Sequence, residues 1–142
     1  DGSIGISIDG DGDDEYYFRS HCGGSGDLNA IGFFWDRRGD DAYRVRYEML
    51  GPANGWADTP PMGTATLYTP FRSFRDDMDA IGLFVDSGGR DAYAWEAADS
   101  AKAADPVPAA VRPAENREWS SRRGVNSWGF GIDLEALPAP GR

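Results

Sequence analysis

At 142 residues, with a formal net charge of −10 and a sequence pI near 4.4, the chain is long enough for one domain with a real core. Its charge opposes nucleic acid and anionic membrane as partners and favours cations or basic surfaces. Nineteen glycines and nine prolines favour many turns and short strands over long helices, and no apolar run approaches the roughly eighteen residues that insert across a bilayer.

In chain order, the first element is Ile4-Gly5-Ile6-Ser7-Ile8-Asp9-Gly10-Asp11-Gly12-Asp13-Asp14-Glu15-Tyr16. It returns as Ile31-Gly32-Phe33-Phe34-Trp35-Asp36-Arg37-Arg38-Gly39-Asp40-Asp41-Ala42-Tyr43 and again as Ile81-Gly82-Leu83-Phe84-Val85-Asp86-Ser87-Gly88-Gly89-Arg90-Asp91-Ala92-Tyr93. Trp128 to Asp133 restates the first half. The aligned pattern is I-G-x-x-x-D-x-x-G-x-D-x-Y, an internal repeat with copies near 4–18, 31–47, 81–95 and 128–133 in one domain, 1–142. In every copy the first, third and fifth places are apolar, which predicts a β-strand turning that face to a core. The parity carries on to Tyr16 and Phe18, Tyr43 and Val45, and Tyr93 and Trp95, which predicts a second strand feeding the same core. Trp35, Trp95 and Trp128 are then core residues.

Between the two strands D-x-x-G-x-D specifies a tight corner, because Asp accepts from backbone N–H groups just ahead and Gly supplies a positive φ. If copies stack at sheet spacing, equivalent carboxylates lie roughly 5 Å apart and repel unless backbone donors or a cation neutralise them. Turn capping is the expectation for the second and third corners. The first crowds Asp9, Asp11, Asp13 and Asp14 together, which makes those four the candidate calcium ligands. An EF-hand is excluded, since its sixth place would be Asp14 rather than Gly and its twelfth Ser20 rather than Glu.

The connector 19–27 carries His21 and Cys22, the only histidine and the only cysteine. Neighbours on an extended chain point apart, so they do not form a catalytic dyad, and no internal disulfide framework is possible. After the second copy, Gly51-Pro52 and Asn54-Gly55 are turn material, Thr64 to Phe71 alternates as a degenerate strand, and Glu96 to Ala104 is a run of helix formers stopped at Asp105-Pro106. Residues 96–123 form one long insertion decorating a face of the repeat. The chain opens at Asp1 without a leader-like segment; a part removed or lying elsewhere in a longer polypeptide is the expectation. The acidic surface, the aromatic richness and the scarcity of Lys, with Lys102 the only one, point to a secreted or cell-envelope protein, periplasmic or extracellular.

The interval from Ile4 to Ile31 suits one coil of a parallel β-helix, and the longer later intervals suit two coils or one with a long loop. The expected fold is therefore all-β, a parallel β-helix-like solenoid of irregular coils. The alternative makes each copy an antiparallel hairpin, as in a propeller blade or a sandwich. Gly12-Asp13-Asp14-Glu15-Tyr16 and Gly39-Asp40-Asp41-Ala42-Tyr43, each after an I-G-x-x-x-D strand, resemble the G-D-D-x-Y repeats of uncharacterised bacterial proteins of the right-handed parallel β-helix type. Arg90 breaks the pattern in the third copy, and the resemblance implies a fold without an activity.

No triad, zinc set or phosphate loop is present, so the functional expectation is a non-catalytic structural or assembly module that packs against other protein subunits or missing parts of a longer polypeptide. The alternative is a carbohydrate-binding, less readily carbohydrate-cleaving, β-helix. With Trp35, Trp95 and Trp128 assigned to the core, Trp56 and Trp119 are its candidate stacking platforms. A calcium-dependent module is a third reading compatible with either. Asp36 and Asp86 are the acids most open to being misread as catalytic. Neither end of the stack offers an obvious polar cap, which predicts cover from other protein unless the 96–123 insertion folds back over one end.

Overall fold

A computed structural model of the chain describes residues 2–19, 22–47, 62–66, 78–97, 113–120, 122–123 and 126–135. These residues are all-β, in mostly parallel sheets. Among the described residues eleven strands follow one another: β1 (Ile4–Ile8), β2 (Glu15–Phe18), β3 (Gly26–Asp27), β4 (Ile31–Asp36), β5 (Ala42–Tyr47), β6 (Ala65–Thr66), β7 (Ala80–Ser87), β8 (Ala92–Ala97), β9 (Glu118–Ser120), β10 (Arg122–Arg123) and β11 (Ser127–Leu134). No described helix is long and apolar enough to cross a membrane.

The repeat decides the pairing. Its four opening strands, with β9 beside them, form one five-stranded sheet in the order β1-β4-β7-β11-β9, and the four run parallel and in register, with Ile4 opposite Ile31, Ile31 opposite Ile81 and Trp128 opposite Ile81. The strands after the corner form a second parallel sheet, β2-β5-β8, aligning Tyr16 with Tyr43 and Tyr43 with Tyr93. The two strands of each copy thus lie in different sheets, so the copies are not hairpins. A third sheet, β10-β6-β3, is built from two-residue strands.

The expected parity of the first sheet is reversed. In β4 the buried residues are Gly32, Phe34 and Asp36, whereas Ile31 is exposed and Phe33 and Trp35 are half-buried; β7 repeats this with Gly82, Phe84 and Asp86 inside. Ile6 is 67% exposed and Trp128 57% exposed. Trp128 is therefore not core, and Trp35 carries Arg37 over its ring at 5.5 Å. The side chain of Trp95 lies outside the described residues. In the second sheet the expected face is correct, with Phe18, Tyr43 and Val45 buried. Parity changes within the corner, because the inward Asp36 and the inward Tyr43 are an odd number of residues apart.

Close approach explains why the inner face of the first sheet begins with glycine. A Cβ on Gly32 would run into the Ser25 carbonyl oxygen, and one on Gly82 into that of Thr64. The chain leading into the third sheet crosses directly over this glycine row, tied by Leu83 N–H donating to the Gly24 carbonyl (2.8 Å). Behind it Phe34 stacks on Phe84 (5.2 Å) and Tyr43 stacks between Tyr16 (5.2 Å) and Tyr93 (5.0 Å). With Phe18, Val45, Met62 and Trp119 these rings make the core.

Part of the expected insertion is a cover. β9 pairs antiparallel with β11, setting Trp119 opposite Gly131, and Trp119 is 3% exposed against Phe84 and Tyr93. Of the expected helical run, Glu96 and Ala97 belong to β8 and the rest lies outside the described residues. Within 64–71, Ala65 and Thr66 form β6 and 67–71 lie outside. His21 lies outside as well, while Cys22 is half-buried against the core.

Candidate functional site

The corners bring the acids together. Gly39 and Gly89 hold φ of 145° and 132°, a region that L side chains rarely adopt. A Cβ on Gly39 would strike the Gly12 carbonyl, and one on Gly89 the Gly39 carbonyl. The corners consequently nest at backbone contact, with Gly39 N–H donating to Gly88 O at 2.9 Å.

This nesting drives the repeat's two aspartates into two columns. The first aspartate of each later copy accepts a tyrosine hydroxyl from the copy before. Tyr16 donates to Asp36 (2.6 Å), Tyr43 to Asp86, and Tyr93 to Asp133 (2.5 Å). The second aspartate accepts a backbone N–H from its predecessor, Asp14 N to Asp41 Oδ1 at 2.7 Å and Asp41 N to Asp91 Oδ1 at 2.8 Å. An outer pair of contacts at the surface runs the opposite way, with the later copy donating: Asp40 N to Asp13 and Arg90 N to Asp40.

Two acidic clusters result, Asp14 with Asp36 and Asp41, and Asp41 with Asp86 and Asp91; within each, one carboxylate oxygen per residue lies within 4.8 Å of the others. The second is buried throughout, with Asp41, Asp86 and Asp91 at 2%, 0% and 6% exposure. These buried acidic clusters could hold a metal ion. Burial is the first cause that pushes their carboxyls up, Asp41 to about 6, Asp91 to about 7 and Asp86 to about 8, with neighbouring carboxylates adding to it. The same desolvation raises Asp36 and Asp133 above the usual carboxylate range, and Tyr16, Tyr43 and Tyr93 above the usual phenol range.

Of the four expected calcium ligands only Asp14 joins such a cluster. Asp9 caps the N–H groups of Gly10 (2.6 Å) and Asp11 (3.4 Å), Asp13 accepts from Asp40 N, and Asp11 sits exposed 3.8 Å from Arg38. In the first corner only Asp9 caps its own turn, and the convergent acids are Asp14, Asp36, Asp41, Asp86 and Asp91. Sequence reasoning missed Asp41, Asp86 and Asp91 as a set because they come from two copies, although the repeated D-x-x-G-x-D spacing was the signal. Asp36 and Asp86 are each held by a tyrosine. Trp119 is not an exposed platform, since its indole N–H donates to the Met62 carbonyl at 3.1 Å inside the core; Trp56 lies outside the described residues.

The outer face of the first sheet is the second notable surface. It presents three apolar rows across the four copies: Ile4, Ile31, Ile81 and Trp128; Ile6, Phe33, Leu83 and Phe130; Ile8, Trp35, Val85 and Ile132. All twelve are exposed or half-buried. No family model, curated protein or solved structure matches the chain.

Proposed function

We propose that the chain is a non-catalytic structural and assembly module, a β-helix-like solenoid of an extracellular or cell-envelope complex that packs against other protein. The observation that carries this reading is the outer sheet face, where apolar side chains stand in register over four copies. Contiguous exposed apolar surface of this kind marks protein association. An acidic chain that keeps such a face for water alone would gain nothing from it.

The occupant in this reading is a second protein chain joined at β1, in the simplest case another copy. Among the described residues β1 has no strand on its far side, and Ile4, Ile6 and Ile8 are its exposed side chains. Such an edge is a template for strand addition. The opposite edge of the sheet is the three-residue β9, and copies meeting β1 to β1 use up the longer edge on both, so that pairing stops at two. The pairing of buried acids with tyrosines and backbone N–H groups supports a non-catalytic role, because each of these acids uses one carboxylate oxygen to hold neighbouring corners together.

Light scattering across micromolar to sub-millimolar concentrations tests this. A dimer that Ile6→Arg converts to a folded monomer is the expected result. A wild-type chain that stays monomeric throughout, and binds no apolar dye, contradicts it.

A further inference from the structure

We propose that Asp41, Asp86 and Asp91 bind one hard divalent cation of the calcium class in the interior between the second and third copies. The inference stands apart from the assembly reading, since it concerns the inside of the stack and not its outer face.

Two independent observations support it. The carboxylate oxygens of the three residues converge to within 4.8 Å of one another, which is the span available to ligands each about 2.3–2.6 Å from a shared calcium ion. In addition, Asp41 Oδ2, Asp86 Oδ1 and Asp91 Oδ2 are buried oxygens without a hydrogen-bond partner. The partners present have each used the other oxygen: Asp14 N–H on Asp41, Asp41 N–H on Asp91, and the Tyr43 hydroxyl on Asp86. One acceptor per residue is therefore left over, on the three residues that meet. The ion pairs among the described residues, Arg38 with Asp11, Arg44 with Glu15 and Arg90 with Asp40, involve none of the three.

Chemistry narrows the ion. The donors are all oxygen, which suits calcium or magnesium and not the thiolate and imidazole sites of zinc. Magnesium demands near-ideal octahedral geometry and holds its waters, whereas calcium accepts an irregular set completed by carbonyls and water. Three buried carboxylates side by side must be neutralised by protons or by a cation, and a divalent ion does this without displacing the tyrosine or the backbone donors. The motif supplies the reason for its own spacing: in the second and third copies D-x-x-G-x-D puts one acid on the tyrosine column and the other on the amide column, and the two copies together bring Asp41, Asp86 and Asp91 to one place.

The test uses the whole chain, treated with chelator and then titrated with calcium chloride or magnesium chloride at slightly alkaline pH. Calorimetric heat at one site and a rise in melting temperature of about 5–10 °C near saturation, larger for calcium than for magnesium, are expected. Asp41→Asn and Asp91→Asn should abolish both responses, while Asp11→Asn in the exposed first corner keeps them. If the Asn variants do not fold, terbium bound to the wild-type chain gives a second reading. Emission sensitised by the neighbouring tyrosines, with the long lifetime of an ion stripped of most of its water, supports the site, and the short lifetime of a hydrated ion overturns it. No heat and no thermal shift at millimolar calcium overturns it too, as does a response lost in Asp11→Asn but retained in Asp41→Asn.

Discussion

The two ends of the repeat carry nearly the same strand and meet different fates. At β1, Ile4 to Ile8 are exposed on both faces, and no described strand lies beyond them. At β11 the same pattern is closed by β9. Trp119 lies over Gly131, Asn116 N–H donates to Asp133 (3.0 Å), Glu135 N–H donates to the Asn116 side chain (2.6 Å), and Asp133 N–H donates to Arg117 O (2.9 Å). The difference teaches that the motif specifies strand, corner and register but not burial. What covers a copy comes from sequence outside the motif.

The largest expected effect breaks the covered end. Trp119→Ala removes a core indole and its bond to Met62, which should cost about 3–5 kcal/mol, whereas Ile6→Ala at the open end should change the stability of the dissociated monomer by less than about 0.5 kcal/mol. Denaturant unfolding of both variants, at concentrations that keep the chains apart, checks the contrast.

Next come the corner glycines. Gly39→Ala places a Cβ into backbone of the preceding corner and should cost about 3 kcal/mol or more. Gly12 holds a similar φ of 148°, but its nearest neighbour is the Asp14 carboxylate at 2.8 Å, a side chain that can move. Gly12→Ala should therefore cost about 1–2 kcal/mol. Equal losses by thermal melts would mean that the corners do not nest.

A smaller difference separates the tyrosines. Tyr43→Phe leaves the fully buried Asp86 without its hydroxyl donor and should cost about 1–3 kcal/mol. Tyr16→Phe, whose partner Asp36 lies nearer the open end, should cost less, and urea titration of the pair measures the gap.

The acidic interior also gives the chelated chain a pH slope. Asp41, Asp91 and Asp86 titrate near 6, 7 and 8 when folded, raised from 3.8. Their folded forms thus hold protons that the unfolded chain has released, and stability is fully present below about pH 4 as far as these groups decide it. It falls as pH rises through the raised values toward 8. A chelated melting curve that rises over that window contradicts the burial of these acids.

Much of this was legible from the residues. The repeat itself located seven strands and the corner glycines, and the spacing of its copies favoured parallel pairing between copies over a hairpin within each. The face was not legible. Both faces of β4 carry large apolar groups, Phe33 and Trp35 on one side and Phe34 on the other, so alternation reveals two faces without saying which is inside. The deciding residue is Gly32, small because the chain entering the third sheet crosses it, and that sheet rests on two-residue strands too short to leave a periodicity. Trp119 was misread because its cover is a tertiary contact with a strand that follows it in sequence. The acid cluster was hidden because Asp41 and Asp91 stand 50 residues apart.

The central claim is that the glycine, phenylalanine and aspartate face of the first sheet points inward and the fuller apolar face points out. Lysine substitution at two places on β7, Ile81→Lys and Phe84→Lys, followed by chemical unfolding, tests it most directly. The structure predicts that Ile81→Lys keeps a cooperative transition close to that of the parent, while Phe84→Lys abolishes the fold. Loss of the fold in Ile81→Lys with retention in Phe84→Lys would contradict it.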